Sequence, residues 1–526
     1  MKRKKVCLVI NPRAGHNCAK LNDFLPVLSA ARWKTDIRIK EYGGHAIELA
    51  SRAAKEKYDL IVSYGGDGTF NQVINGVLNK KGCKSAVGLI PGGTANVWAG
   101  EVGIPSDATR AVLSLVNSDV RETDVVRVHV SSLSFPLAEN QSGRSAAKKG
   151  ASKTAPPREV SNNGRPSLRT RKHFLLMAGL GMDAAILEHV AKPLKYEIGR
   201  LAVGFAAVKE LAVHQPFLTE IGLANSGQVA DIVWKGDALQ VVVGNTRHYG
   251  IGQITPNAYV DDGLLDVCVI TAGDRAAPTF RQVFSLLAVG KPDKAGAEYF
   301  RAAHFSISVP ASIGMQLDGS TVDLKDYLSK ANWRAVQQVE NPARVMVNYR
   351  FDVLPHKLPV AIPCTYDNSL FKNASAEAKS RLAVDSRKME GDPERLAQIT
   401  SGTGKRNEAV PGALDPPGVN SADKDHESST PIKSLSQFPR EVTVLGACSN
   451  PEINEAYIVA GSITKRRTGE AKLVAIRIND RTKVIDQNGE PTPTSFVMTL
   501  EENRKIMVQG KQNKRGVINA KQISIL

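Results

Sequence analysis

Five residues, Gly65-Gly66-Asp67-Gly68-Thr69, constrain the fold more than any other stretch of this chain. They follow an apolar, β-branched run at 60–63. They open a segment in which Phe70, Val73, Ile74, Val77 and Leu78 recur at helical spacing. A strand that turns through glycines straight into a helix belongs to α/β proteins, where it marks a place for phosphate. Consecutive glycines let backbone N–H groups approach an anion, and the helix N-terminus adds a favourable dipole. A carboxylate there would repel phosphate. Asp67 therefore fits if it holds a magnesium ion, directly or through water, or accepts a substrate proton. The alternative is a tight turn in which Asp67 is a helix cap.

The surroundings repeat the layout. Residues 6–10, 35–40, 60–63, 87–90 and 125–130 read as strands, with helical patterns at Leu21, Phe24, Leu25 and Leu28 and at 45–56. Alternating β and α with short connections predicts a parallel sheet covered on both faces. The strand at 87–90 runs into Pro91-Gly92-Gly93-Thr94-Ala95-Asn96, whose Thr94 and Asn96 can donate to phosphate or ribose oxygens. The first strand runs into Asn11-Pro12-Arg13-Ala14-Gly15. Three glycine-bearing loops at the carboxyl ends of parallel strands converge on one crevice. None is a Walker A loop.

At 526 residues the chain is too long for one core. Residues 1–128 form the α/β unit, and 129–355 read as a β-rich second domain with a sandwich-like arrangement. Its strands are expected at 174–178, 217–223, 238–244, 265–270, 305–309 and 345–351, and its helices near 198–213 and 278–289. Within it, 138–172 carries nine basic and two acidic residues among Ser, Gly, Pro and Ala, and reads as a disordered basic insertion. Residues 356–438 are polar, contain Pro416-Pro417 and read as a disordered linker. Alternation returns at 439–526, a small β-rich module with strands at 442–445, 457–463, 472–478, 495–500, 505–509 and 516–525.

The net charge of +17 points to phosphate-rich partners: nucleotides, nucleic acid or an anionic membrane surface. Few aromatics lie on the strands of the last module, which argues against base stacking and nucleic acid. Six scattered cysteines without a C-x-x-C pair fit a reducing cytosol rather than a disulfide scaffold or zinc ribbon. No run of 18 apolar residues occurs, so any membrane contact is expected to be peripheral.

The ordered set "VINPRAG", "YGGDGTFNQVINGV", "GLIPGGTANVWAGEVGIP", "MAGLGMDA", "GNTRHYGIGQITPNAYVDDGLLDV" and "MQLDG" resembles the diacylglycerol kinase catalytic family, which includes bacterial soluble lipid kinases and sphingosine kinases. The resemblance covers roughly residues 4–350. "GGDGT" alone is shared with NAD kinases and phosphofructokinases. The resemblance implies a nucleotide-binding α/β domain followed by a β-sandwich-like domain, with ATP and substrate between them. It implies ATP contacts at Asn11, Gly15, Gly66, Asp67, Gly68, Thr69, Phe70, Asn71, Gln72, Gly93 and Thr94, and at Lys40, where relatives commonly carry Thr. "PNAYVDDGLL" resembles a structural magnesium loop with ligand positions Tyr259, Asp262 and Leu264. Asp261-Asp262-Gly263 also reads as a hairpin turn. Asp124 matches a member of the network around catalytic magnesium.

The chain departs from that pattern at three places. Family members usually carry Asp-Gly-Glu, with Glu as general base, where this chain has Asp318-Gly319-Ser320. Many carry Asp where this chain has Val97, and Ser where it has Ala14. The carboxylates left for catalysis are Asp67 and Asp318. The expectation is a cytoplasmic, ATP- and Mg2+-dependent lipid kinase acting on a lipid hydroxyl at a membrane surface. The alternatives are a catalytically impaired nucleotide- or lipid-binding member, or a soluble-substrate kinase related to NAD kinases.

Overall fold

The computed structural model describes residues 4–14, 21–136, 158–164, 166–181, 215–223, 231–249, 252–271, 297–372, 439–449, 456–464, 471–513 and 516–526. The first unit runs β1 (Lys5–Ile10), α1 (Leu21–Ala30), β2 (Lys34–Ile39), α2 (His45–Lys55), β3 (Leu60–Gly65), α3 (Asp67–Leu78), β4 (Ala86–Pro91), α4 (Val97–Glu101) and α5 (Ala108–Val116). Strands β4–β3–β1–β2 lie side by side and parallel, in register from Val6↔Leu60 and Leu60↔Ala86. β1, β3 and β4 are buried along nearly their whole length, as continuous apolar runs in a doubly covered parallel sheet must be. Their carboxyl ends lie together, so the loops after β1, β3 and β4 share one edge.

The second unit grows from two 18-residue strands, β5 (Ser118–Phe135) and, late in the chain, β18 (Met346–Pro363). They pair antiparallel from Ser118↔Pro363 to Ser134↔Met346, and β18 also touches β4 in parallel at Val360↔Val87. These two strands therefore belong to both units. Between them in sequence come β6 (Arg158–Ser161), β7 (His173–Phe174), β8 (Met177–Gly181), β9 (Phe217–Leu223), β10 (Asp231–Gly244), β11 (His248–Tyr249), β12 (Gly252–Gln253), β13 (Leu265–Thr271), β14 (Ala297–Ala302), β15 (His304–Pro310), β16 (Met315–Leu317), β17 (Ser320–Val322) and α6 (Lys330–Gln338). Alternate residues Val126, Val128, Phe174, Phe305, Ile307, Phe351 and their neighbours point inward and form one core.

The fold class agrees with the expectation, but several segments differ from it. Residues 158–164 and 166–172, read as part of a disordered insertion, are built into the fold. β6 pairs with β5, and the Asn162 side chain donates to Val130 O and Tyr327 O. Residues 356–363, assigned to the linker, are strand. Leu370 and Phe371 beyond them are buried. The polarity of the first segment and the prolines Pro359 and Pro363 of the second concealed these contacts, whose partners lie far away in sequence. The rest of the insertion (138–157), the linker from 373 to 438 and the two helices expected near 198–213 and 278–289 lie outside the described residues.

The last unit comprises β19 (Arg440–Ser449), β20 (Tyr457–Thr464), β21 (Ala471–Ile478), β22 (Lys483–Ile485), β23 (Pro491–Thr492), β24 (Lys505–Gln512) and β25 (Val517–Ile525). The sequence β21–β20–β19–β24–β25 closes on itself because β25 also pairs with β21, which leaves no open edge in that ring. Residues 495–500, expected as a strand, are a 3-10 turn over Thr494–Thr499. Pro493 starts it, and only Val497 is buried there while Phe496 and Met498 stay exposed.

This unit is fastened to the back of the first one. Cys448, Ile458, Ala460, Ala475 and Val517 join the same apolar core as α1 and α5. The Arg477 guanidinium donates to Ala30 O at 2.9 Å and Ser29 O at 3.0 Å, satisfying carbonyls at the C-terminal end of α1. Among the described residues no helix is long and apolar enough to cross a membrane. Arg477→Ala removes both bonds and a third to Asn519 Oδ1, and it takes the Arg477 donor from Ala30 O while Ser29 O keeps Arg32 N. It should lower stability by about 1–3 kcal/mol in urea titrations, with the far-ultraviolet spectrum unchanged at zero denaturant. An unchanged midpoint would show that the apolar contacts alone hold the unit.

Candidate nucleotide site

The glycine loop after β3 meets the loop after β4 at van der Waals distance. A Cβ on Gly93 would lie 2.4 Å from Gly66 Cα, and one on Gly66 would lie 3.0 Å from Gly93 Cα. Gly66 has an extended backbone (φ −87°) that any residue adopts, so its constraint is this close approach and not its torsion. Gly92 N donates to Gly65 O at 3.0 Å. Asp67, the first residue of α3, accepts from Val97 N at 3.0 Å and Trp98 N at 3.1 Å. It is a helix cap, but for α4 in the neighbouring loop, and it locks the two loops together. The loop after β1 joins them: Asn11 Nδ2 donates to Thr69 Oγ1 at 3.0 Å and Asn11 N to Tyr64 O at 3.0 Å.

This places Asn11, Gly66, Asp67, Gly68, Thr69, Gly93 and Thr94 around the N-terminus of α3. Among the described residues the Thr94 hydroxyl makes no hydrogen bond and so keeps its donor for a ligand. Asn96, expected as a ligand donor, is engaged within its own loop. It sits in the left-handed region (φ 48°), accepts from Gly93 N at 2.9 Å and donates to Gly93 O at 2.8 Å. The Asn71 side chain turns toward the second unit, and Phe70 packs at 6.2 Å against Trp98 at the start of α4. Phe70 is core, Gln72 is buried, and Asn71 donates to His173 O at 2.9 Å and Asp318 Oδ2 at 2.8 Å. One helical turn carries residues 70–72 past the exposed end of α3. Lys40 follows β2 at the sheet edge, with its N–H bonded to Ile10 O, at the same end as the loops but outside their junction. Gly15 lies outside the described residues.

The second unit closes the site with a hairpin. β16 and β17 are joined by Asp318 (φ 46°) and Gly319 (φ 73°), a two-residue turn between the pair Leu317↔Ser320. An Asp-Gly pair with both φ positive is what such a turn requires. The turn brings Ser320 onto α3, so that a Cβ on Gly68 would lie 2.4 Å from Ser320 Oγ. The position where the family resemblance places a general base is therefore beside the glycine loop, and it carries a hydroxyl.

Asp318, expected as a catalytic carboxylate, does other work. It is buried and accepts from Asn71 Nδ2 (2.8 Å), Leu175 N (3.0 Å), Leu176 N (2.9 Å) and Met177 N (3.1 Å). Burial pushes its carboxyl up to about 6 against the pull of these donors, so it is ionised at neutral pH. Four donors fill the acceptor capacity of a carboxylate, which leaves no lone pair for a substrate proton. The sequence reading also missed Asn75, one turn beyond Asn71 on α3. Asn75 accepts from Lys172 N and His173 N and donates to His173 O. Two asparagines four residues apart on an otherwise apolar helix were the available signal.

The proposed metal positions split away from this centre. Asp124 is fully buried and accepts from Gly263 N (2.6 Å) and His356 N (2.8 Å), where β5 and β18 slip in register. Each of its oxygens accepts one backbone N–H, and the carboxylate thereby ties the bend in β18 to the loop at Gly263. In the loop with Tyr259 and Leu264, Asp262 pairs with Arg301 at 2.5 Å and accepts from Leu264 N at 3.1 Å, with Lys372 Nζ at 3.9 Å. Asp266 lies 3.5 Å from the same guanidinium. The Tyr259 ring lies under Arg247. A guanidinium at the carboxylate does not fit a divalent cation held by the same oxygens. Among the described residues no group of three or more His, Cys, Asp or Glu is placed to hold a metal.

Residues 5–128 match the diacylglycerol kinase catalytic domain, and residues 177–323 match the YegS C-terminal NAD kinase beta sandwich-like domain. The chain is 25% identical over 324 residues to "Probable lipid kinase YegS" of Escherichia fergusonii, covering 61% of this chain and 90% of the relative. It is 23% identical over 319 residues to "Diacylglycerol kinase" of Staphylococcus saprophyticus, covering 60% and 88%. A crystal structure of a diacylglycerol kinase from Bacillus anthracis superposes with a TM-score of 0.44 at 20% identity, covering 70% of this chain and 99% of that one.

Two substitutions test the site as described. Gly93→Ala should force the two glycine loops apart, weaken ATP binding about 10-fold or more, read by calorimetry, and lower the thermal midpoint, because the bonds between the loops are strained with them. Asp318→Asn puts an NH2 group among N–H donors. It should cost about 3 kcal/mol in urea unfolding. Asp318→Asn at parental stability would mean the carboxylate does not hold the two units together.

Proposed function

We propose that this chain, a member of the diacylglycerol kinase catalytic family through residues 5–128 and the sandwich-like unit that follows, is an ATP-dependent lipid kinase that transfers the γ-phosphoryl group to a lipid hydroxyl of diacylglycerol or sphingoid type. The observation that carries the reading is the meeting of the loops after β1, β3 and β4 with the Asp318–Ser320 hairpin at the N-terminus of α3. Phosphoryl transfer is mainly positioning and charge neutralisation. The N-terminal N–H groups of α3 face the phosphates, the Thr94 hydroxyl adds a donor, and the second unit supplies the acceptor side. A magnesium ion would neutralise phosphate charge, and Asp67, the carboxylate at the start of α3 where the two glycine loops meet, would hold it through water.

Ser320 supports a second reading, a nucleotide- and lipid-binding member with little turnover. On the β16–β17 hairpin the Asp318 carboxylate is engaged by four donors and Ser320 carries a hydroxyl, so the hairpin itself offers no acceptor for the hydroxyl proton. Incubation with γ-labelled ATP and a mixed lipid extract separates the readings. Label in the organic phase supports the lipid kinase, label in NAD(P) the soluble-substrate alternative, and no transfer with retained ATP binding the impaired member. Ser320→Glu should raise turnover about 100-fold or more if the missing base limits the reaction. ATP affinity must be measured alongside, because the added charge faces the phosphates. An active parent whose turnover is unchanged or lowered by Ser320→Glu would place the proton acceptor elsewhere.

A further inference from the structure

On the solvent side of the sheet in the second unit, away from the glycine loops, the strands β5, β18 and β15 gather an unusual set of side chains. Register puts Arg127, Asp352 and His304 in one row and His129, Arg350 and Ser306 in the next. Asp352 forms the buried floor. It accepts from Arg127 Nη2 at 3.0 Å, Arg350 Nε at 3.0 Å and His304 Nδ1 at 3.0 Å. His129 Nδ1 lies 3.8 Å from the same carboxylate, too far for a hydrogen bond, and has no other partner among the described residues. Together they line a cavity of about 240 Å³.

Asp352 orients these groups without exhausting them. A guanidinium carries five N–H donors, and among the described residues each arginine gives only one to protein. Two fixed positive charges stand against one negative charge. The remaining donors of Arg127 and Arg350 and the far nitrogens of both imidazoles surround the cavity from three strands. A planar carboxylate answers a single guanidinium fork, whereas a tetrahedral phosphate offers oxygens in several directions at once. The cavity is smaller than the roughly 300–1,000 Å³ of pockets that enclose drug-sized ligands, which suits a head group rather than a nucleotide. We propose that this cleft is an anion site for a phosphate monoester, distinct from the nucleotide site and supplied either by a lipid head group or by a free phosphate compound. The cleft is one strand away from the first unit. Arg127 is the cross-strand neighbour of His173, whose backbone is held by Asn71 and Asn75 of α3.

The test uses the full chain with its nucleotide site saturated by a non-hydrolysable ATP analogue. Glycerol 3-phosphate is titrated by calorimetry, and flotation is measured with vesicles of phosphatidate in phosphatidylcholine against phosphatidylcholine alone. Arg127→Gln, at a half-exposed position, should weaken phosphate binding about 10-fold or more. Thermal unfolding establishes that the variant is folded. Ser306→Asp adds a carboxylate beside Arg350 without deleting a cation and should weaken binding likewise. Vesicle binding that depends on phosphatidate and is lost in both variants names the lipid as source. Binding of glycerol 3-phosphate alone, lost in both, names a soluble phosphate. The proposal is overturned if neither ligand binds, if both folded variants bind as the parent does, or if phosphate binds only when the analogue is withheld.

Discussion

One buried carboxylate holds the two units in working relation. Asp318 sits where α3, the segment 175–177 and the β16–β17 hairpin meet, and its four N–H donors come from all but its own hairpin. A buried charge is costly unless every lone pair is engaged, so this arrangement tolerates little movement of any partner. Fixing Asp318 fixes Asn71, hence the rotation of α3, hence the end of the helix that meets the glycine loops. It also fixes Ser320 two residues later. The position of the site between the units follows from satisfying this one group.

The second constraint is that β5 and β18 are shared. Two strands of 18 residues each run from the edge of the parallel sheet through the sandwich, so the units cannot separate as beads on a linker. Where the strands change unit, the register slips between Leu354 and Leu358, and His356 adopts a positive φ. Asp124 satisfies the donor released there, His356 N, and joins it to Gly263 N in the turn before β13. The slip is an irregularity whose released donor is bonded by a side chain, which makes it a bend of fixed angle.

Much of this was legible from sequence, and the limits have physical causes. The parallel sheet followed from apolar runs and glycine turns because those signals are local. The meeting of three loops followed from the rule that such turns share one sheet edge. What sequence could not supply was the partner of each polar side chain. Asp67, Asn71, Asn96, Asp124 and Asp318 are residue types that serve equally well as ligands or as internal acceptors. Only the fold shows that each is bonded to backbone or side-chain groups from other elements or from its own loop. The same limit hid residues 158–164 and 166–172, polar segments, and 356–363, broken by two prolines, all of which pack on or beside β5, a strand distant in sequence.

The residues that match the family pattern and those that depart from it divide along this line. Asp67, Asn71, Asp124 and Asp318 match, and each holds backbone or a neighbouring side chain in place. Ser320 departs, and it faces the open end of α3. Asp262 matches by type, but its carboxylate is paired with Arg301, where the resemblance would place a divalent cation. A guanidinium supplies charge and two directional donors without requiring six oxygen ligands, so it can stabilise the turn after Val260 while leaving nothing for a metal to bind. Substitution at positions that only do chemistry leaves the fold intact, because no buried group loses its partner. Substitution at the positions that hold backbone does not. The architecture of this chain is thus compatible with a wide range of catalytic competence at an unchanged nucleotide cradle.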